Sequence, residues 1–380
     1  MHGPLAEVEA KVLAGERLSY DDGVALYGTD DLAWLGGLAR EAQRRKTGDT
    51  VTFNVNRHLN LTNVCVASCA YCTFERKPGH PEAYTMRVAE AVALAQEMQP
   101  EGLTELHIVN GLHPTLPYEY YPRTLAALRD ALPGVALKAF TATEVDWFTQ
   151  LTGRDAGDIL DELMDAGLAS LTGGGAEIFD EEVRAGIVDH TVHWERWSEI
   201  HRLAHGKGLR TPATMLYGHV EEPRHRVDHV LRIRGLQDET GGFVTFIPLR
   251  FHPEGSRIPR PIATGAEAMK VFAVSRLLLD NVERLKCFWV MHGLTLSQLL
   301  LEFGVDDLDG SVVEYKITHD PTGATPDKLS RADLLRMVRE AGRVPVERDT
   351  RYRALKVFPL EPTADEEAER RAFRVPLPVA

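Results

Sequence analysis

Cys65, Cys69 and Cys72 fall within eight residues, separated by three and then two positions, and Tyr71 stands just before the third. Three thiolates that close together form the ligand set of a metal centre with one coordination position left open to an outside molecule. Soft sulfur ligands select iron–sulfur clusters or zinc over hard cations. A structural zinc ion needs a fourth ligand, and His80 follows Cys72 at a distance unlike the usual short Cys/His spacings. Disulfides are disfavoured by the count, four cysteines in 380 residues, with no export signal ahead of them. Cys287 lies in the apolar run Cys287-Phe288-Trp289-Val290-Met291 and reads as a small buried hydrophobe.

Other residues with useful chemistry sit at the ends of short apolar runs. Asn110 and Gly111 follow the run 106–109, and the glycine lets a ligand approach the backbone closely. Glu144 follows 137–140, while Gly173, Gly174, Gly175 and Glu177 follow 168–172. Carboxylates at two neighbouring strand ends would hold ribose hydroxyls, take a proton, or pair with rim cations. Met215, inside 211–217, offers either apolar surface to a flat base or core packing. Arg250 and His252 follow 243–249, where a guanidinium would clamp a carboxylate bidentately or close a structural ion pair. His58, His113 and His252 are candidate proton carriers or hydrogen-bonded scaffold residues. The acidic stretch from Asp306 to Ser311 lacks the remaining ligands of a calcium loop and reads as a turn that touches substrate.

The elements that must position these groups alternate. Strands are expected at 51–55, 106–109, 137–140, 168–172, 211–217, 243–249, 288–291 and 311–313. Amphipathic helices intervene near 120–131, 156–166, 192–205 and 227–237, and Val271, Val274 and Leu278 share a face in a further one. Eight such pairs in about 290 residues predict an α/β fold, a TIM-like (βα)8 barrel whose post-strand loops converge on one face. The barrel is expected over 50–343, preceded by a helical extension at 1–49 with a helix opening at Thr29, and followed by a C-terminal extension at 344–380. A composition of 44% hydrophobic residues suits a large core, and no apolar run is long enough to suggest a membrane span. The net charge of −13 repels a phosphate backbone and argues against nucleic acid as a partner. Reduced cysteines without an export signal point to the cytoplasm.

The spacing of the three cysteines, with Tyr71 before the last, resembles the signature of the radical SAM superfamily. Segments 56–63, 111–114, 173–177, 217–221 and 246–249 are similar to the group containing the menaquinone futalosine-pathway enzymes and the deazaflavin-forming synthases. Segments 141–145 and 238–243 look most like the aminofutalosine synthases. The sister dehypoxanthine futalosine cyclases share the cysteine loop, the triple glycine and the 217–221 run, which therefore do not separate the two. One departure stands out: where the superfamily usually has a Gly-Gly-Glu-like turn after the second strand, this chain has Asn110-Gly111-Leu112.

The resemblance implies a 4Fe-4S cluster on Cys65, Cys69 and Cys72, with S-adenosyl-L-methionine (SAM) consumed as co-substrate. SAM would lie against Tyr71, Asn110, Gly111, Glu144, Gly173, Gly174, Gly175, Glu177 and Met215. Cleavage would give methionine and a 5′-deoxyadenosyl radical that adds to the enolpyruvyl double bond of 3-[(1-carboxyvinyl)oxy]benzoate. Loss of CO2 or bicarbonate would leave 6-amino-6-deoxyfutalosine. Arg57, His58, Arg210, Arg250 and His252 are the expected contacts for this aromatic carboxylate, and a low-potential electron donor is implied. Radical addition requires no general acid or base, and none is assigned. A cyclase or related radical SAM synthase is the enzymatic alternative, and a zinc-stabilised scaffold the non-enzymatic one.

Overall fold

The computed structural model describes residues 4–97, 102–311 and 328–364. Strands in chain order are β1 (Thr50–Phe53), β2 (Asn56–Leu59), β3 (Glu105–Ile108), β4 (Ala136–Ala139), β5 (Leu168–Ser170), β6 (Thr211–Tyr217), β7 (Phe243–Arg250), β8 (Arg284–Cys287), β9 (Asp307–Leu308), β10 (Val344–Arg348) and β11 (Ala354–Val357). They form a four-stranded sheet, β2-β3-β4-β5, and a seven-stranded sheet, β11-β10-β1-β9-β8-β7-β6. The ladders are parallel except between β10 and β11.

Strands β2 to β9 give the eight-membered α/β succession of a TIM-like fold, arranged as two hydrogen-bonded arcs rather than one continuous ladder. Side chains bridge the two seams. Between β5 and β6, Ser170 Oγ donates to the Arg210 carbonyl at 2.7 Å and Thr214 Oγ1 to the Gly173 carbonyl at 3.0 Å. At the other seam, Ser311 Oγ donates to the Asn56 carbonyl at 3.0 Å. Gly310 passes so close there that a Cβ would lie 2.0 Å from the Asn54 carbonyl oxygen. Two residues separate β1 from β2, so this one bent segment serves both arcs.

Burial follows from the architecture. Every residue of β6 is buried, as a parallel strand covered on both faces requires. Helices Pro223–Thr240 and Gly265–Leu278 lie outside the second arc, with Val227, Val230, Ile233, Val271, Phe272 and Leu278 turned into the core. The first helices, Pro4–Ala14, Tyr20–Tyr27 and Leu32–Thr47, pack against this face, the third directly on Gly265–Leu278. None of the described helices is long and apolar enough to cross a membrane.

Several expectations need correction. The strand that feeds the cysteine loop is β2, which begins directly after the expected 51–55 run, itself largely β1. The seventh apolar run, 288–291, is not a strand: the strand is Arg284–Cys287, and Trp289–His292 is a short helix whose Trp289 Nε1 donates to the Gly310 carbonyl at 2.9 Å. The expected turn at 306–311 contains β9, which pairs with β8 and β1. Of the strand expected at 311–313, the last two residues lie outside the described residues. The third helix is capped by Asp31, which accepts the Trp34 N–H at 3.0 Å, rather than by Thr29, whose hydroxyl accepts the Asp31 N–H. The segment after 343 enters the sheet, with β10 alongside β1 and Arg348 fully buried.

Candidate active site

The loop leaving β2 carries the three cysteines and is tied down from several directions. Lys77 Nζ donates to the carbonyls of Cys65, Val66 and Ala67 at 3.2, 2.9 and 2.5 Å. From beyond β7, Arg257 donates to the Ser68 carbonyl through its side chain and to the Ala70 carbonyl through its backbone. The Ala70 N–H reaches the Ile187 carbonyl at 2.7 Å. From the β3 end, the Leu112 N–H points at Cys65 Sγ at 3.2 Å, while the Val66 N–H returns to the Leu112 carbonyl at 2.9 Å.

All three thiols face one cavity of about 290 Å³. Burial pushes each thiol up, Cys69 to about 12, so bonding to a metal group is what releases their protons. Among the described residues, no three His, Cys, Asp or Glu side chains converge as a single metal ion requires. Thiols spaced around a common void, with an amide N–H already aimed at one sulfur and a cavity on their open side, fit a polynuclear cluster with one exposed corner. Cys287 stands apart, fully buried with its thiol on Ser297 Oγ at 3.3 Å.

The cavity wall gathers most of the residues expected around SAM. Tyr71, Asn110, Gly111, Glu144, Gly174, Gly175 and Glu177 all line it. The Tyr71 hydroxyl donates to Glu177 Oε1 at 2.7 Å. Glu177 itself holds a positive φ of 36°. Gly111 is required by packing, since a Cβ there would lie 2.4 Å from the Val64 carbonyl oxygen. Gly175, at φ +81°, passes 2.5 Å from the Thr143 hydroxyl by the same measure.

Glu144 plays a structural part in this wall. It forms a capping box with Thr141, its Oε2 accepting the Thr141 N–H at 2.8 Å. Its Oε1 accepts both the N–H and the Nδ2 of Asn110, at 3.0 and 3.1 Å. Burial pushes this carboxyl up to about 7 despite those donors. Its lone pairs therefore fasten the loop after β3 to the helix after β4, a task that competes with holding ribose hydroxyls.

Five expected contacts fall outside the cavity lining. Alternation along β6 turns Thr214 and Leu216 inward and puts Met215 in the core behind them. Gly173 backs onto β6, where a Cβ would lie 2.5 Å from the Pro212 carbonyl oxygen. His58 lines the cavity, so its neighbour Arg57 on β2 is directed away from it and fully buried. Arg210 is exposed at the start of β6, the end away from the cysteine loop. Arg250 donates to the Ala263 carbonyl instead of facing the void. His252 lines the cavity, its Nε2 hydrogen-bonded with the Met291 carbonyl at 2.9 Å.

The floor holds His107 and Lys138, from the expected strands 106–109 and 137–140 but not among the expected contacts, Lys286, just ahead of the expected strand 288–291, and Asp309, from the acidic stretch expected to touch substrate. Lys138 pairs with Glu105 at 3.1 Å, and Lys286 with Asp309 at 2.8 Å and Asp307 at 3.6 Å. Arg348, arriving on β10, grips Asp307 through two hydrogen bonds of 3.0 and 2.9 Å. The available signal was a charged residue inside an otherwise apolar parallel strand, as in Leu137-Lys138-Ala139.

Comparison with known proteins agrees with this geometry. Residues 59–233 match the radical SAM superfamily model, and residues 240–360 match the CofH/MqnC C-terminal region. The aminodeoxyfutalosine synthase of Streptomyces coelicolor is 65% identical over 364 residues, covering 93% of this chain and 94% of that protein. The aminodeoxyfutalosine synthase of Thermus thermophilus is 42% identical, covering 93% and 96%. The FeFe-hydrogenase maturase HydG of Carboxydothermus hydrogenoformans shares the fold at a TM-score of 0.70 and 16% identity, covering 92% of this chain and 80% of that one. The chain belongs to the radical SAM superfamily and, within it, to the family of the aminodeoxyfutalosine synthases.

Proposed function

We propose that this enzyme transfers the 5′-deoxyadenosyl group of SAM to the vinyl carbon of 3-[(1-carboxyvinyl)oxy]benzoate. With water, the products are 6-amino-6-deoxyfutalosine, methionine and bicarbonate, a step towards menaquinone. The relatedness to synthases of that name along nearly the whole chain carries this reading. A 4Fe-4S cluster held by Cys65, Cys69 and Cys72 would supply, when bound, the electron for reductive cleavage of SAM to methionine and an adenosyl radical.

The chain's own residues then have four tasks. Cys65, Cys69 and Cys72 hold the cluster, and Lys77 and Arg257 fix their backbone. The Tyr71–Glu177 hydrogen bond closes the wall beside the thiols and keeps water from the reacting carbon. Gly174 and Gly175 bring the backbone close enough for main-chain contact with SAM, and Thr214 and Leu216 face it from β6. His58 and His252 face the aromatic acid from opposite arcs. Positioning dominates this list because a primary carbon radical attacks almost any neighbouring C–H, so the acceptor carbon must be the nearest group. The reaction takes place in the cytoplasm, with a low-potential reductant supplying the electron.

Anaerobic incubation with reductant, SAM and the enolpyruvyl benzoate tests the reading by product mass. A futalosine-type adduct is expected. Free 5′-deoxyadenosine as the sole adenosyl product would move the enzyme to the cyclases or another relative, and colourless protein with stoichiometric zinc would make the loop structural.

A further inference from the structure

Beneath the thiols, the cavity narrows onto strand residues rather than loops. His58, His107 and Lys138 are register partners on β2, β3 and β4, and all three line the void. Lys286 on β8 faces them from the other arc. The rings of His58 and His107 stack with centroids 4.5 Å apart.

The hydrogen-bonding capacity of this layer is unevenly used. Lys138 is 3% exposed, yet its ammonium, with three N–H groups to donate, reaches only Glu105 Oε1 among the described residues. The other Glu105 oxygen is taken by Thr350 at 2.9 Å. Lys286 has Asp309 and Asp307, and Asp307 also takes Arg348, Thr52 and Tyr352. Neither nitrogen of His107 has a hydrogen-bond partner among the described residues. Burial, with His58 and Lys138 close by, holds this imidazole well below its ordinary value, so it is neutral and carries one N–H. Burial likewise lowers Lys138, whose attraction to Glu105 is opposed by Lys286 and Arg348. An anion arriving there would offset both effects. Above this layer, Val109, Ile247, Leu249 and Phe288 give apolar walls suited to a flat ring.

We propose that Lys138, with His107 beside it, seats the ring carboxylate of an aromatic acid, the ring lying between the apolar walls and the reactive substituent pointing up towards the thiols. The orientation rests on the adenosyl-transfer reading, because the carbon that accepts the radical must lie near the cysteine loop. It replaces the exposed or outward arginines Arg210 and Arg250 as the anchor for that end of the substrate.

The test is equilibrium binding to the anaerobic, cluster-reconstituted enzyme with SAM and no reductant. The two probes are 3-[(1-carboxyvinyl)oxy]benzoate and its analogue with the ring carboxylate replaced by carboxamide. Wild type should prefer the acid by about 10- to 100-fold, the range expected for a charge-assisted bond in a dry site. In Lys138→Met that preference should collapse to within about threefold, and Lys138→Arg should restore part of it by returning the charge. Lys138→Gln carries the same comparison should the Met variant fail to fold. A preference retained in the Met or Gln variant, or absent in wild type, overturns the proposal. Product analysis of wild type under reduction is a separate measurement: lack of the adduct would refute the transfer reading, while the acid-to-amide ratio still judges Lys138.

Discussion

Glu144→Gln isolates the most heavily used carboxyl in the wall. Three N–H groups converge on its two oxygens, and the side chain is 2% exposed. Burial raises its folded-state value from 4.5 to about 7. The folded protein therefore keeps this proton up to about pH 7, whereas the unfolded chain releases it near 4.5. Stability from this group is full below the lower value and is lost as pH rises through the upper one. At about 1.4 kcal/mol per pH unit, the whole change amounts to about 3 kcal/mol. Glutamine does not titrate, so the stability of wild type minus that of Glu144→Gln should fall by about 3 kcal/mol between pH ~4.5 and pH ~7.5. Superimposed on this is a pH-independent loss of about 1–3 kcal/mol, because the new amide NH2 must face either the Thr141 N–H or the Asn110 donors. Urea unfolding of the cluster-free proteins across that pH range measures both parts. Parallel stability curves for the two proteins would refute the assignment of a raised, buried carboxyl.

Three further outcomes follow from the packing of the cysteine loop. Gly111→Ala places a methyl 2.4 Å from the Val64 carbonyl oxygen, so the β3 loop and the cysteine loop must separate; iron bound after reconstitution should drop well below wild type, and undiminished iron would contradict the contact. Lys77→Met removes three donations to carbonyls at and after Cys65, and being half-exposed it should cost only about 1–2 kcal/mol of stability while accelerating cluster loss under chelator. Cys287→Ala should keep full iron content and lose about 1–2 kcal/mol through its small cavity, whereas Cys69→Ala should abolish cluster assembly; equal iron in the two variants would remove the three-thiol centre.

The α/β succession and the thiol loop were legible because each depends on local pattern: apolar runs at regular intervals, and three cysteines within one short loop. Which face a residue takes was harder to read. Thr214, Met215 and Leu216 differ only in phase along β6, and the expected contact was the one pointing into the core. Arg57 and His58 pose the same problem on β2. Assigning strand to 288–291 followed hydrophobicity, but Arg284-Leu285-Lys286-Cys287 forms the strand because Asp309 and Asp307, distant in sequence, accept the inward Lys286. The floor lysines were missed for that reason: their charges are tolerable only through partners on β3, β9 and β10. Asp31 displaced Thr29 as a cap by a choice between neighbouring residues that both favour the position.

The moorings of the cysteine loop have a mechanical corollary. Leu112 grips it from the first arc, Arg257 from the second, and Ile187 from the segment after β5. Spreading the arcs to widen the entrance would pull on the strip of backbone that carries the iron ligands. Traffic of reactants and integrity of the metal centre are thus geared together, and a chain that has lost its cluster should breathe more widely on both sides of the entrance than one that retains it.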